Sequence, residues 1–175
     1  FVHESDTYPG RVTKWCGGFA KRIAIAYPSA AKYFPKDKTA LVSQPIRKDI
    51  KLKAKEGMHE YLKLDRNKKV VTVLGGSSGA EMINDIVLDA LPLLLEKYQV
   101  IHQTGGGEKY EDVMMRASII LENNPHKDNY KPYDYFGLLA MKMVAGATDV
   151  FVSRAGANSI GEISYWNTPS ILIPI

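Results

Sequence analysis

The chain has one cysteine in 175 residues, Cys16, so it cannot form an internal disulfide and a reducing compartment is expected. No apolar run reaches the roughly 18 residues that span a bilayer, and no secretory leader pattern is visible. No basic stripe is interleaved with aromatics, which argues against nucleic acid as a partner. His3, Glu4 and Asp6 lie close together, but only Cys16 is near them as a further ligand, so no metal site is expected. Nothing in the chain calls for a cofactor. Two familiar phosphate patterns are also missing. No lysine follows the glycines at 75–79, which excludes a P-loop, and no G-x-G-x-x-G dinucleotide turn occurs. Internal repeats and low-complexity tracts are absent.

What remains is ordinary globular composition, 45% hydrophobic and 24% charged, enough for one domain and part of another. Twenty-three basic and 19 acidic residues give a net charge of +4. That mild excess suits an anionic ligand or an anionic membrane surface. The start reads as the end of a strand entering a loop, and the finish as a buried strand with nothing after it. The chain is therefore expected to be an internal piece of a longer protein.

Residues 1–45 read as one region. A helix is expected over 12–19 after the Pro9-Gly10 turn, with strands at 23–27 and 39–42 ended by prolines. Residues 46–69 are polar, with seven lysines from Lys48 to Lys69. They read as a linker and a solvated helix over 49–63. From residue 70 strands and helices alternate. Strands are expected at 70–74, 100–103, 149–153 and 170–174, with a weak one near 130–135. Helices are expected at 80–97, 108–121, 137–147 and 158–166. In the first of these, Met82, Ile83, Ile86, Val87, Ala90, Leu91 and Leu94 recur at helical spacing, and Pro92 is expected to kink it. Such alternation implies an α/β fold with a parallel sheet and right-handed crossovers.

Two glycine-rich turns carry the functional signal. Leu74-Gly75-Gly76-Ser77-Ser78-Gly79-Ala80 follows Val70-Val71-Thr72-Val73, and Ser153-Arg154-Ala155-Gly156-Ala157-Asn158-Ser159 follows Val150-Phe151-Val152. Each joins a strand to a helix. Glycine lets the backbone approach a ligand, and first-turn amides point at it, so both are anion sites. Two in one α/β unit suggest a nucleotide diphosphate. Ser77 and Ser78 suit phosphate oxygens, with an N-cap role as the plain alternative. Arg154 suits the same anion, or a salt bridge with Asp149 or Glu162. Glu162 suits a ribose, or is simply favoured by the helix dipole. His102 inside an apolar strand reads as a satisfied core histidine. Tyr130, Tyr133, Tyr135 and Phe136 read as a packing cluster, with a wall for a flat ring as the alternative.

These motifs together resemble the MurG-type peptidoglycan N-acetylglucosaminyltransferases of glycosyltransferase family 28. The resemblance runs along nearly the whole chain. It rests on His3-Glu4-Ser5-Asp6 with Pro9-Gly10 (family H-E-x-N…G), on Ser43-Gln44-Pro45-Ile46-Arg47 (family G-N-P-V-R), on Gly75–Ala80 with Asn84 (family G-G-S-Q-G-A…N), and on Ser153-Arg154-Ala155-Gly156-Ala157 with Gly161-Glu162 (family R-x-G-A…S-E).

The resemblance implies a GT-B fold of two Rossmann-like domains. Residues 1–45 would be the tail of the acceptor-binding N-terminal domain, and 46–175 most of the donor-binding C-terminal domain. It implies an inverting transfer of N-acetylglucosamine from UDP-N-acetylglucosamine to lipid I, giving lipid II for the cell wall. The enzyme would sit peripherally on the cytoplasmic face of the bacterial inner membrane, against its anionic surface. By the same resemblance, Ser77 would bind the diphosphate with help from the amides around Gly76 and Ala157, and Ser78, Gly79, Arg154, Gly156 and Asn158 would belong to the donor site. Arg47 and Asn84 match cleft residues, Glu162 would hold the ribose, and Phe136, Gly137 and Leu138 would read the uracil edge. His3, Glu4 and Asp6 would lie near the acceptor pyrophosphate. The family's N-terminal glycine loop with its histidine, and its Gln-rich segment, have no counterpart here, so no general base is assigned and the piece alone should not turn over. Other readings are a GT-B transferase with another lipid acceptor, such as a diacylglycerol galactosyltransferase, and a non-catalytic nucleotide-sugar-binding module. A sugar-nucleotide epimerase would need carboxylates and histidines in a pattern the chain does not have.

Overall fold

The computed structural model describes residues 1–76 and 80–174. These fall into two compact units, Phe1–Arg47 and Lys48–Ile175.

The first unit is a small parallel sheet. Strands β1 (Val2–Glu4), β2 (Ile23–Ile25) and β3 (Thr39–Leu41) pair in that order. Helix α1 (Arg11–Phe19) connects β1 to β2. Its Gly17 lies where an added Cβ would meet the Phe34 ring at 3.0 Å, and a small core of Ala20, Ile23, Ile25, Ala30 and Phe34 closes beneath it.

The second unit has five parallel strands flanked by helices. Its elements are α2 (Met58–Leu62), β4 (Lys69–Leu74), α3 (Glu81–Lys97), β5 (Tyr98–Gln103), α4 (Glu108–Ile120), β6 (Tyr130–Tyr133), α5 (Leu138–Ala147), β7 (Val150–Arg154), α6 (Ala157–Trp166) and β8 (Ser170–Ile173). The strand order is β6-β5-β4-β7-β8. Alternate strand residues face opposite layers, as the pleat requires. Val73 and Val100 join Ile83, Val87, Leu88, Leu91 and Leu95 of α3 and Val113 and Ala117 of α4 in one core. On the other face, Thr72 bonds Thr148 at the end of α5 (Oγ1···Oγ1 2.6 Å), and Phe151 stacks on Trp166 of α6.

The strands and the later helices lie where the alternation predicts, and the sheet is parallel throughout. Three expectations are corrected. The helix expected over 49–63 is only a 3-10 turn, Lys48–Ile50, and the five residues of α2. Gly57 enters α2 with φ 76°, which no helix passes through, and Ala54 gives its N–H to the Lys142 carbonyl (3.0 Å) instead of a helical partner. Pro92 does not interrupt α3, which runs unbroken across it. The buried stripe of α3 is also rotated. Met82 and Ile86 are exposed, while Asn84 and Leu88 face inward, because Asn84 is drawn into the core by its own hydrogen bonds.

Gly146 of α5 packs directly on the 51–57 segment. A Cβ there would lie 2.4 Å from the Ala54 carbonyl oxygen. Helix propensity alone would favour alanine by up to about 1 kcal/mol, whereas forcing backbone apart costs about 1–3 kcal/mol. Gly146→Ala is therefore expected to lower the thermal midpoint. A raised midpoint would show that this segment is not held against α5.

Candidate functional site

The order of the sheet decides where a ligand can bind. The chain lays down β4, β5 and β6 outward to one side, then returns to place β7 and β8 on the other side of β4. Connections leave β4 and β7 in opposite directions, so a crevice opens between them at their carboxyl ends. Leu74 stands opposite Ser153 in register, so the turns that follow both strands emerge side by side at that crevice.

The turn after β4 starts with Gly75 donating to the Gln103 carbonyl (3.2 Å) and Gly76 at φ 81°, a left-handed conformation suited to glycine. The expected phosphate residues Ser77, Ser78 and Gly79 lie outside the described residues. The turn after β7 is closed by Ala155 N–H on Ile173 O and Gly156 N–H on Arg154 O, both 2.8 Å. Helix α6 then begins at Ala157, with Gly156 as an N-cap that has no side chain to offer and no acidic residue in its first turn. Helical geometry points the amides of Ala157, Asn158 and Ser159 out of this end, carrying the positive end of the dipole. No protein carboxylate in that turn answers it, which is the electrostatic setting an anion needs.

Arg154 ends β7 half-buried. Asp149, one suggested partner for it, instead takes Lys69 Nζ (2.9 Å) and the Val70 amide (2.8 Å). Glu162 is half-buried in the second turn of α6. Phe136 is buried and stacks on Tyr133 with centroids 5.0 Å apart, whereas Tyr135 is exposed. Gly137 caps α5 and Leu138 is exposed, so this backbone also opens at the carboxyl edge, after β6.

Asn84, which the resemblance matches to a cleft residue, has its side chain turned into the fold and is 3% exposed. Its Nδ2 donates to Thr104 O (3.0 Å), and its Oδ1 lies 3.1 Å from His102 Nε2. His102 Nδ1 lies 2.9 Å from Tyr130 Oη. Burial holds His102 down at about 4, and pushes the Tyr130 phenol up. Sequence reading identified His102 as a core histidine but did not join it to Asn84. The strand pattern placed His102 in the core, but the helical spacing placed Asn84 off the apolar stripe, so no sequence signal joined the two.

In the first unit, Glu4 is also turned inward, 3% exposed, with Oε1 accepting the Asp6 N–H (2.9 Å). Its Oε2 has no hydrogen-bond partner among the described residues. His3 Nε2 lies 3.4 Å from Ser43 O, and Asp6 is exposed. Ser43 takes φ 65° where the MurG-type pattern has glycine. Arg47 is exposed at the end of this unit. Among the described residues no group of three or more His, Cys, Asp or Glu is gathered for a metal, and no helix is long and apolar enough to cross a membrane.

Comparison with known proteins agrees with this geometry. The model of the glycosyltransferase family 28 C-terminal domain matches residues 70–175. The chain belongs to glycosyltransferase family 28. A similar curated relative is a UDP-N-acetylglucosamine–N-acetylmuramyl-(pentapeptide) pyrophosphoryl-undecaprenol N-acetylglucosamine transferase of Bacillus cereus, 35% identical over 99% of this chain and 46% of that protein. The Staphylococcus epidermidis enzyme of that name is 34% identical over 99% of this chain and 45% of its own. The family 28 chain thus spans a little under half the length of these relatives. Among solved structures, Acinetobacter baumannii MurG superposes with a TM-score of 0.65 at 20% identity, over 99% of this chain and 46% of its own. Anabaena HepE, solved with UDP and glucose, gives 0.58 at 11% identity, over 98% and 52%. These neighbours fix the fold class as the α/β architecture of GT-B glycosyltransferases.

The buried histidine makes this family 28 chain sensitive to acid. With its pKa moved from 6.5 to about 4, the unfolded chain binds a proton that the folded chain refuses as pH falls between those values. Stability is therefore complete above about pH 6.5, falls by about 3 kcal/mol down to about pH 4, and loses nothing more from this group below that. Urea midpoints across this range should fall more steeply for the unmodified chain than for His102→Gln. Parallel curves would mean that His102 titrates normally in the fold.

Proposed function

We propose that this chain is the donor-binding part of an inverting glycosyltransferase that moves N-acetylglucosamine from UDP-N-acetylglucosamine to undecaprenyl-pyrophosphoryl-MurNAc-pentapeptide, converting lipid I to lipid II. The observation that carries it is the pair of glycine turns side by side at the crevice between β4 and β7. The identity to relatives of that activity, along 99% of the chain, supports the choice of donor and acceptor.

In this reading Ser77, the amides about Gly76 and those at Ala157–Ser159 hold the diphosphate, with Ser78, Gly79, Arg154, Gly156 and Asn158 around it. Glu162 accepts from the ribose hydroxyls. Backbone at Phe136–Leu138 reads the uracil edge, and Arg47 is assigned to donor binding by the family motif it matches. Asn84 acts from behind the turn. An acceptor-sugar hydroxyl attacks the anomeric carbon as UDP leaves, inverting it. Charge developing on the leaving diphosphate is met by the helix N-terminus and the turn amides. Residues 1–45 are the tail of the acceptor domain, with His3, Glu4 and Asp6 toward the acceptor pyrophosphate. The second reading, a GT-B transferase with another lipid acceptor, is favoured by one residue: Asp6 presents an exposed carboxylate where the MurG-type pattern has an amide.

Isothermal titration with UDP, in the presence of a chelator, is expected to give saturable binding. Glu162→Ala should weaken UDP at least about tenfold, since a charge-assisted hydrogen bond is worth about 1.5–3 kcal/mol and 1.4 kcal/mol is one decade. If Glu162 only complements the helix dipole, its loss costs about 0.3–1 kcal/mol of stability. A lowered thermal midpoint with unchanged UDP affinity would remove the ribose role. Clear binding of another nucleotide with no heat from UDP would remove the donor assignment.

The net charge of +4 supports peripheral attachment to an anionic leaflet, with about 1 kcal/mol for each basic residue close to the surface. Co-sedimentation with vesicles containing anionic lipid should weaken as salt rises. Equal sedimentation with purely zwitterionic vesicles would contradict it.

A further inference from the structure

The three buried polar side chains behind the glycine turn form one directed chain of hydrogen bonds. Thr104 O can only accept, so Asn84 Nδ2 donates to it and Asn84 Oδ1 faces His102. Oδ1 also only accepts, so His102 Nε2 must carry the hydrogen. The neutral ring then has a lone pair on Nδ1, and the Tyr130 hydroxyl donates to it. The order is Tyr130 O–H to His102, His102 N–H to Asn84, Asn84 N–H to Thr104. Each bond points the same way, and each fixes the orientation of the next. His102 and Thr104 are 0% exposed and Asn84 3%, so water cannot substitute for a lost partner.

Asn84 is where this chain meets the functional turn. It is the fourth residue of α3, and its backbone N–H closes the first turn on Ala80 O (2.9 Å). Ala80 directly follows the glycine turn. The Asn84 side chain meanwhile ties that same helical turn to Thr104, the first residue after β5. One residue thus sets the height of the α3 N-terminus against the sheet edge, and His102 decides which way its amide points. With the amide reversed, its NH2 would face the His102 N–H and its oxygen would face the Thr104 carbonyl, two like-to-like contacts.

We propose that His102 is a positioning residue, which through Asn84 holds Ala80 and the N-terminus of α3 in the geometry that receives the donor diphosphate. This rests on the reading of the glycine turn as the donor-phosphate site. The plain alternative is a histidine that only fills the core.

The test compares UDP affinity with thermal midpoint in the chain carrying His102→Phe, His102→Gln, Tyr130→Phe, or His102→Gln with Tyr130→Phe, each measured well below its own midpoint. Phenylalanine fills the space but strands the Asn84 oxygen. Glutamine restores an N–H toward it, and the second change removes the stranded phenol. His102→Phe is expected to weaken UDP at least about tenfold, and the double variant to return within about threefold of the unmodified chain even where its midpoint stays lower. Unchanged affinity in folded His102→Phe overturns the proposal, and so does an affinity loss that glutamine does not rescue. Nitrogen NMR of the unmodified chain must show His102 as the neutral Nε2–H tautomer, and the Nδ1–H form overturns the proposal without any variant. If His102→Phe does not fold, Tyr130→Phe and the double variant carry the comparison. If UDP does not bind the unmodified chain, the donor reading fails separately. The positioning role is then decided by whether the amide resonances of Gly75, Gly76, Ala80 and Glu81 move in the His102 variants and return in the double variant, and unmoved resonances overturn it.

Discussion

Strand β4 is hydrogen-bonded on both sides, to β5 over Lys69–Leu74 and to β7 over Val71–Leu74, and the positions along the carboxyl edge follow from it. Because all the strands run parallel, their carboxyl ends lie on one line. Leu74, Gln103, Tyr133 and Ser153 are linked in register across four strands, so four turns open at the same edge. A slip of one residue in β4 would turn Val73 away from α3 and carry the glycine turn out of line with α6. The apolar pairing on both faces thus fixes where the chain leaves β4 and β7 along that edge.

The edge is built from backbone more than from side chains. Helices α3, α5 and α6 all begin without a side-chain cap. Capping by Ser, Thr, Asp or Asn is usually worth about 1 kcal/mol of helix stability. Omitting it leaves amides available where they emerge at the crevice. Of these three only α3 has an acidic first turn, at Glu81, and Lys109 stands 3.9 Å from that carboxylate. Surface ion pairs such as Arg116 with Asp85 and Asp112 add little by themselves. The buried Tyr130–His102–Asn84–Thr104 chain matters more, because each partner it lost would stay unpaired in a dry layer.

The second layer is closed by the segment before β4. Trp166 Nε1 donates to Ile50 O (2.9 Å), Lys53 Nζ reaches Thr168 Oγ1 (2.6 Å), and Ala54 is bonded to α5. These contacts hold residues 48–57 over α5 and α6 with little secondary structure of their own. Close approach at Gly146 is what lets the two backbones meet.

Sequence alone determined the elements whose pattern is self-contained. The apolar runs ending in glycine marked the strands that the fold places at Lys69–Leu74 and Val150–Arg154, and their alternation with helices marked a parallel α/β sheet. The motif set gave the family. Chain order could not give strand order, which long-range pairing decides: only the fold set β7 against β4 and so brought two turns 80 residues apart to one crevice. Likewise the lysine-rich 49–63 stretch had local helical character, and tertiary bonding of Ala54 to Lys142 overrode it. Asn84 shows the same division most clearly. Its place after the glycine turn marked it as functional, but its burial, the hydrogen on His102 Nε2 and the link to Thr104 exist only because α3, β5 and β6 pack together and exclude water.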